Sequence, residues 1–391
     1  MISFAFFCLT NFLKSVKEKV RYISADLLRG LVIIIMIEVH VFNAFLIPEL
    51  RQTGWFTVLN FINGLVAPSF LFVSGFAFQV SSGSKLDEMR KFGKAFRKKI
   101  ARIFQIIIIG YALHLPFFSL SKIINESTPQ LIENFLAVDV LQCIGVGLLF
   151  LFLTRLLIKS DKVYNYFLIL SLVVVTFVSP IFFKIEFANY IPLFAANYFN
   201  RLHGSLFPIF PWLNFLLAGA IFAKYFVDAR ERNKEEKFIR LSAITGFGLL
   251  LSGHLFFSGL FPKTLTSIIP NPVFYLERLG YILVLFFLCW IVDRKTNIKN
   301  TFIMDASRES LLVYWLHLIT IYGMFWDGNS LAMIIGTKLN GIEATISAVI
   351  LITLMIIVSK IWGWLKKSYT HYVSISVKTI VVFLIIVFII F

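Results

Sequence analysis

The chain has 391 residues, of which 59% are hydrophobic and only 15% charged, with a mean hydropathy of +0.85. That mix lies far outside the range of a soluble globular domain and places the chain in a membrane. The net charge of +16 does not mark a nucleic-acid binder, because the basic residues fall in short clusters between apolar segments rather than in one stripe with interleaved aromatics.

In chain order, the opening "MISFAFFCLTNFL" is too short to span a bilayer and lacks the basic start and small-residue cleavage site of a signal peptide. Residues 1–20 read as an interfacial or amphipathic lead-in, held on the cytoplasmic side by Lys14, Lys17, Lys19 and Arg21. Residues 21–391 then read as one integral membrane domain. A ruler of about 20 apolar residues per helix marks spans near 25–47, 56–80, 100–120, 136–158, 164–183, 207–226, 241–260, 273–292, 308–326, 343–364 and 375–391. The expected fold is therefore all-α, a polytopic transmembrane bundle of about eleven helices. In the last of these the fully apolar run, "TIVVFLIIVFIIF", is short enough for a tilted or interfacial segment.

Loop charges orient the bundle. The stretches "KLDEMRKFGKAFRKK" (85–99), Lys159 with Lys162, "DARERNKEEKFIR" (228–240), "DRKTNIK" (293–299) and Lys366 with Lys367 alternate with loops that carry only isolated bases such as Arg51, Lys122, Lys184, Arg201, Lys263 and Lys338. By the positive-inside rule the basic loops and the N-terminus are cytoplasmic. Cys8, Cys143 and Cys289 are scattered in apolar contexts, which supports neither a disulfide framework nor a zinc site. No metal is expected.

The first span carries the chemistry. "RYISADLLRGLVIIIMIEVH" (21–40) holds Asp26, Arg29, Glu38 and His40 where water is scarce, and an ionisable group inside a membrane is a functional candidate by default. Eleven helical steps separate Arg29 from His40, about three turns, so both lie on one face about 16 Å apart. Arg29 reads as a snorkelling side chain, as an intrahelical partner of Asp26, or as an anion clamp at the cytoplasmic mouth of a tunnel. His40, beyond mid-membrane, reads as a base or as a structural hydrogen-bonding group. Glu38 points nearly the other way, as a buried partner for another helix.

Further candidates follow along the chain. Asn60 and Asn63, one turn apart, suit oxyanion donors or interhelical bonding. Ser74 and Gly75 permit close backbone approach. Asp139 and Gln142, one turn apart near the outer half of the fourth span, suit an acceptor site. Arg278 is a buried cation for substrate phosphate, or for pairing with Glu38 or Asp139. His317 lies mid-helix in "LLVYWLHLI", while His114 and His254 read as structural and His203 as an outer-loop residue able to contact a sugar.

These residues resemble a family. "RYISADLLRGLVIIIMIEVH" looks like the first helix of the transmembrane acyltransferase superfamily, and "APSFLFVSGFAF" (67–78) like its next. "VLQCIGVGLL" (140–149), "FPIFPWLNFLLAG" (207–219) and "SRESLLVYWLH" (307–317) resemble the branch that includes the heparan-α-glucosaminide N-acetyltransferase catalytic domain and its bacterial relatives. The resemblance implies transfer of an acetyl or other acyl group from cytoplasmic acetyl-CoA or another acyl-CoA to an extracytoplasmic saccharide or glycoconjugate. His40, Arg29 and Asp26 form the expected catalytic set, with His40 as general base or acyl carrier and Arg29 positioning the donor. Asn60, Asn63, Ser74, Asp139, Gln142, Arg278 and His317 form the expected substrate-binding set. The heparan enzyme has Asn where His40 stands and its essential His farther along, in a lumenal loop, whereas residues 41–62 here hold no His. Glucosamine N-acetylation is therefore not carried over.

The expected home is the inner or plasma membrane, with the bilayer itself as a partner and association into a homo-oligomer left open. A polytopic transporter or flippase for a sugar or lipid-linked substrate is the alternative, since it too keeps charges inside its helices.

Overall fold

The computed structural model describes residues 21–83, 86–296, 298, 301–324 and 329–390. The expected lead-in over residues 1–20 lies outside the described residues. Among those described the architecture is all-helical, with one isolated bridge between Leu46 and Leu339 in place of any strand. Eight helices are long and apolar enough to cross a membrane, so the protein is a multi-pass integral membrane protein.

The principal helices are α1 (Ile23–Phe45), α2 (Gly54–Asn63), α3 (Val66–Ser82), α4 (Lys94–Ala112), α5 (Val140–Leu157), α6 (Asp161–Phe182) and α7 (Ile209–Glu231). They continue with α8 (Glu235–Leu255), α9 (Pro272–Lys295), α10 (Phe302–Arg308), α11 (Ser310–Tyr322), α12 (Gly341–Ser368) and α13 (Thr370–Ile390). Every expected span finds a helix, with two corrections. The second span is two consecutive helices, α2 and α3, meeting at Gly64 and Leu65. The ninth, expected over 308–326, is the apolar helix α11 of 13 residues, about 20 Å long and too short to cross the hydrocarbon core.

Local chemistry sets many of these boundaries. Asp139, Ser160 and Asn271 cap α5, α6 and α9 through their side chains. Asn340 and Glu343 form a reciprocal capping box at α12. The Asp139 cap corrects the reading that placed this residue inside the fourth span.

Interhelical bonds gather the basic loops at one end. Arg90 donates to the carbonyls of Arg155, Leu156 and Ile158 at the end of α5. Glu235 accepts from Trp290 and Arg294 of α9, and Lys366 reaches Glu309 at 2.6 Å. At the opposite end the Ile47 N–H donates to the Leu339 carbonyl and the Leu339 N–H to that of Phe45, which ties the end of α1 to the approach of α12.

Helix α1 is central, touching α3, α9, α10, α11 and α12. The tightest helix pair is α3 against α7. A Cβ on Gly75 would stand 1.9 Å from the Leu216 carbonyl oxygen, and one on Gly219 would stand 1.9 Å from that of Phe72. Only glycine permits this approach, the usual way to close an interface in lipid, where burial of apolar surface gives little drive. Gly75 is thus a packing residue, and Ser74 lies half-buried beside it. Helix α13 has no buried residue.

Candidate functional site

At the basic end of α1, Asp26 accepts from Arg29 at 3.2 Å and pairs with Arg21 at 3.2 Å. This is the intrahelical pair expected from the i, i+3 spacing. Between the two ends the Arg29–His40 stripe is filled by apolar side chains, with Ile33 at 0% and Met36 at 3% exposure.

The far end is different. The half-buried His40 ring lies 5.2 Å from that of His317 and 6.1 Å from that of Tyr322, centroid to centroid. The Tyr322 hydroxyl donates to the His40 carbonyl at 3.4 Å. Both histidines stand five residues before the ends of their helices, Phe45 and Tyr322, which puts them at one depth, about 8 Å from those ends.

His317 is fully buried, and its Nδ1 meets the Val313 carbonyl at 2.7 Å. A carbonyl only accepts, so Nδ1 carries the proton and Nε2 is the free nitrogen of the neutral ring. That Nε2 has no hydrogen-bond partner among the described residues.

Asp139 joins this end from α5. One oxygen accepts from the Val140 amide at 2.7 Å, and the other lies 3.5 Å from His114 Nε2. Its carboxylate is within electrostatic reach of His40 and Tyr314. One turn on, Gln142 is fully buried with both amide atoms unpartnered among the described residues, packed where α5 meets Gly110 of α4. A cavity of ≈ 310 Å³ opens here, lined by His114, Asn134, Asp139 and Gly204 with three apolar residues.

Glu38 finds its partner on the second span. With the Asn63 amide turned so that its nitrogen faces α1, that nitrogen donates to Glu38 Oε2 at 2.9 Å and to the Leu59 carbonyl at 3.3 Å. Asn60, one turn away, is exposed. Arg278 pairs with neither Glu38 nor Asp139, in contrast to the sequence expectation. Its guanidinium donates to the Phe61 carbonyl at 3.2 Å and lies over the rings of Phe61 and Phe274, at 4.5 and 4.8 Å. Rings and a carbonyl thus surround this cation in lipid, while its Nε stays without a partner among the described residues.

The outer loops add a clasp. The His203 ring is held between Glu133 at 2.6 Å and Glu186 at 2.8 Å. Glu186 and Glu133 together raise the imidazole above its ordinary range, and the His203 bond lowers the Glu186 carboxyl.

Of the expected residues the structure therefore brings together His40 and His317, with Asp139 nearby. It leaves Asp26 and Arg29 at the other end, pairs Asn63 with Glu38, and keeps Asn60, Ser74 and Arg278 in separate settings. Tyr314, Tyr322 and the contact between His114 and Asp139 escaped the sequence reading. Tyrosines in an apolar helix carry no spacing signal, and His114 meets its acid only through the packing of two helices.

Residues 21–254 match the family described as heparan-alpha-glucosaminide N-acetyltransferase, catalytic. The chain belongs to this family. The matched stretch runs from α1 almost to the end of α8, taking in Asp26, Arg29, Glu38, His40, His114, Asp139 and Gln142, and leaving Arg278 and His317 beyond it. The membership makes the protein a membrane-embedded member of an acetyltransferase family. No curated protein matches the chain.

Proposed function

We propose that the protein moves an acetyl or other acyl group from acyl-CoA on the basic, cytoplasmic side to a hydroxyl or amine of a saccharide on the opposite side of an inner or plasma membrane. His40 is the general base. It takes the proton as the acceptor oxygen or nitrogen attacks the thioester carbonyl; the carbon–sulfur bond then breaks, and the coenzyme A thiolate leaves and accepts a proton.

The observation that carries this reading is the His40 and His317 pair, half-open on one side and buried on the other, with the Asp139 carboxylate in electrostatic reach. His317, fixed by Val313, packs beside the His40 ring. The cavity beside Asp139 and His114 suits the acceptor, since carboxylate, imidazole and amide groups bind sugar hydroxyls. Arg29 and Asp26 serve the donor at the basic end.

Membranes carrying the full chain, supplied with radiolabelled acetyl-CoA and a panel of sugars, test this directly. General-base catalysis is worth about 10²–10⁴-fold, so His40→Ala should lose label transfer by that factor. Transfer that survives the substitution would remove His40 as the base. Sugar uptake without any consumption of acyl-CoA would favour a transporter.

A further inference from the structure

A second cavity, of ≈ 530 Å³, lies at the basic end between α8 and α9, outside the candidate site described above. The two helices touch at Gly246 and Gly280, where a Cβ on either would stand under 3 Å from the carbonyl oxygen of the other. Beyond that contact, towards the basic end, the small Ala243 faces Phe287 and Trp290, and the groove opens. Its walls are apolar, with Phe247 and Phe287 farther in. Its mouth carries Arg240, Arg294 and Lys295.

The charged groups at this mouth are arranged unevenly. Arg294 donates to Glu235 at 2.8 Å and lies over the Trp290 ring at 5.2 Å, while the Trp290 indole N–H also donates to Glu235, at 2.6 Å. Glu235 is thereby committed, with Arg230 as a further partner at 3.6 Å. Among the described residues Arg240 pairs only with Glu236 one turn away, and both are exposed, so a stronger anion can displace that contact. Lys295 is exposed and has no ion-pair partner among the described residues. Cations at the headgroup level above an apolar cleft between two membrane helices match the two halves of an anionic phospholipid. The phosphate meets Arg240 and Lys295, and an acyl chain runs past Phe247 and Phe287.

We propose that this groove is a binding site for one anionic phospholipid of the leaflet at the basic end. The site is independent of the acyl-transfer reading. It would hold α8, whose outward face is largely exposed apolar surface (Ile244, Phe247, Leu251), against α9 from the lipid side.

Native mass spectrometry of the full-length protein, equilibrated in detergent with equal amounts of phosphatidylglycerol and phosphatidylcholine, tests the site. Selective retention of phosphatidylglycerol is expected. Each cation facing an anionic headgroup contributes about fivefold, so the Arg240→Gln, Lys295→Gln double variant should lose roughly 25-fold in apparent affinity. The charge-preserving Arg240→Lys, Lys295→Arg variant should keep the preference and controls for folding. Equal retention of the two lipids, an unchanged preference in the Gln variant, or displacement of the lipid by coenzyme A would each overturn the proposal.

Discussion

The two ends of α1 solve the same problem in opposite ways. At the basic end Asp26 is bonded to both Arg29 and Arg21, and the charges satisfy one another beside water. At the opposite end His317 Nε2, His114 Nδ1 and both amide atoms of Gln142 are buried without a partner among the described residues. Each such group costs about 1–3 kcal/mol, which a purely structural interface would avoid. On the proposed function, the opposite end is where chemistry on a bound substrate would be prepared, and the basic end is a binding and anchoring region.

That contrast can be broken or sharpened. The largest effect after loss of His40 itself is expected at His317, because misplacing a reacting group by about 1 Å can cost roughly 10²-fold. His317→Gln should therefore lower kcat by that order while leaving KM for acyl-CoA near the wild-type value. An unchanged kcat would make His317 a packing residue only.

The basic end should behave in the complementary way. Arg29→Gln removes a charged donor, worth about 1.5–3 kcal/mol where it meets an anionic substrate. KM for acyl-CoA should rise about tenfold or more, with kcat little changed. A loss confined to kcat would erase the distinction between the two ends.

A smaller effect concerns stability. Gly75→Ala forces a methyl group into the Leu216 carbonyl, and overpacking of this kind costs about 1–3 kcal/mol. The apparent melting temperature should fall, and an unchanged value would mean that α3 and α7 separate freely.

The smallest effect is a pH dependence confined to the opposite end. The His203 imidazole is raised from its ordinary value of 6.5, so its share of the clasp is fully present below that pH and lost as pH rises through the raised value. The Glu186 carboxyl is lowered from 4.5, so its share is present above that pH and lost as pH falls through the lowered value. The clasp is therefore firmest at mildly acidic pH, between the carboxylate and imidazole ranges. Because it is solvent-exposed and screened, going from pH 6 to pH 8.5 should lower the apparent melting temperature by only about a degree. His203→Gln should abolish that step.

Much of the architecture was legible in the sequence because its causes are local. Apolar runs of about 20 residues and alternating basic loops follow from the bilayer's thickness and from charge retention on one side, and the Asp26 and Arg29 pair follows from helical spacing. The break between α10 and α11 falls in the polar "SRES" that precedes "LLVYWLHLI", but that α11 stops as early as Tyr322 was not legible in the sequence. The surroundings of Arg278 were not legible either. Its charge suggested a carboxylate partner, but the rotation of α9 presents it to Phe61 and Phe274.

By itself the sequence determined that this chain is a helical membrane protein, how its loops are charged, and that its first helix carries Asp26, Arg29 and His40 along one face. Only the tertiary structure decided that His40 meets His317, that Glu38 meets Asn63, and that His114 meets Asp139. These pairs lie on helices far apart in the chain. Their meeting depends on helix rotation and on close approaches such as Gly75 to Leu216, a property of side-chain shape across many helices that no local pattern encodes.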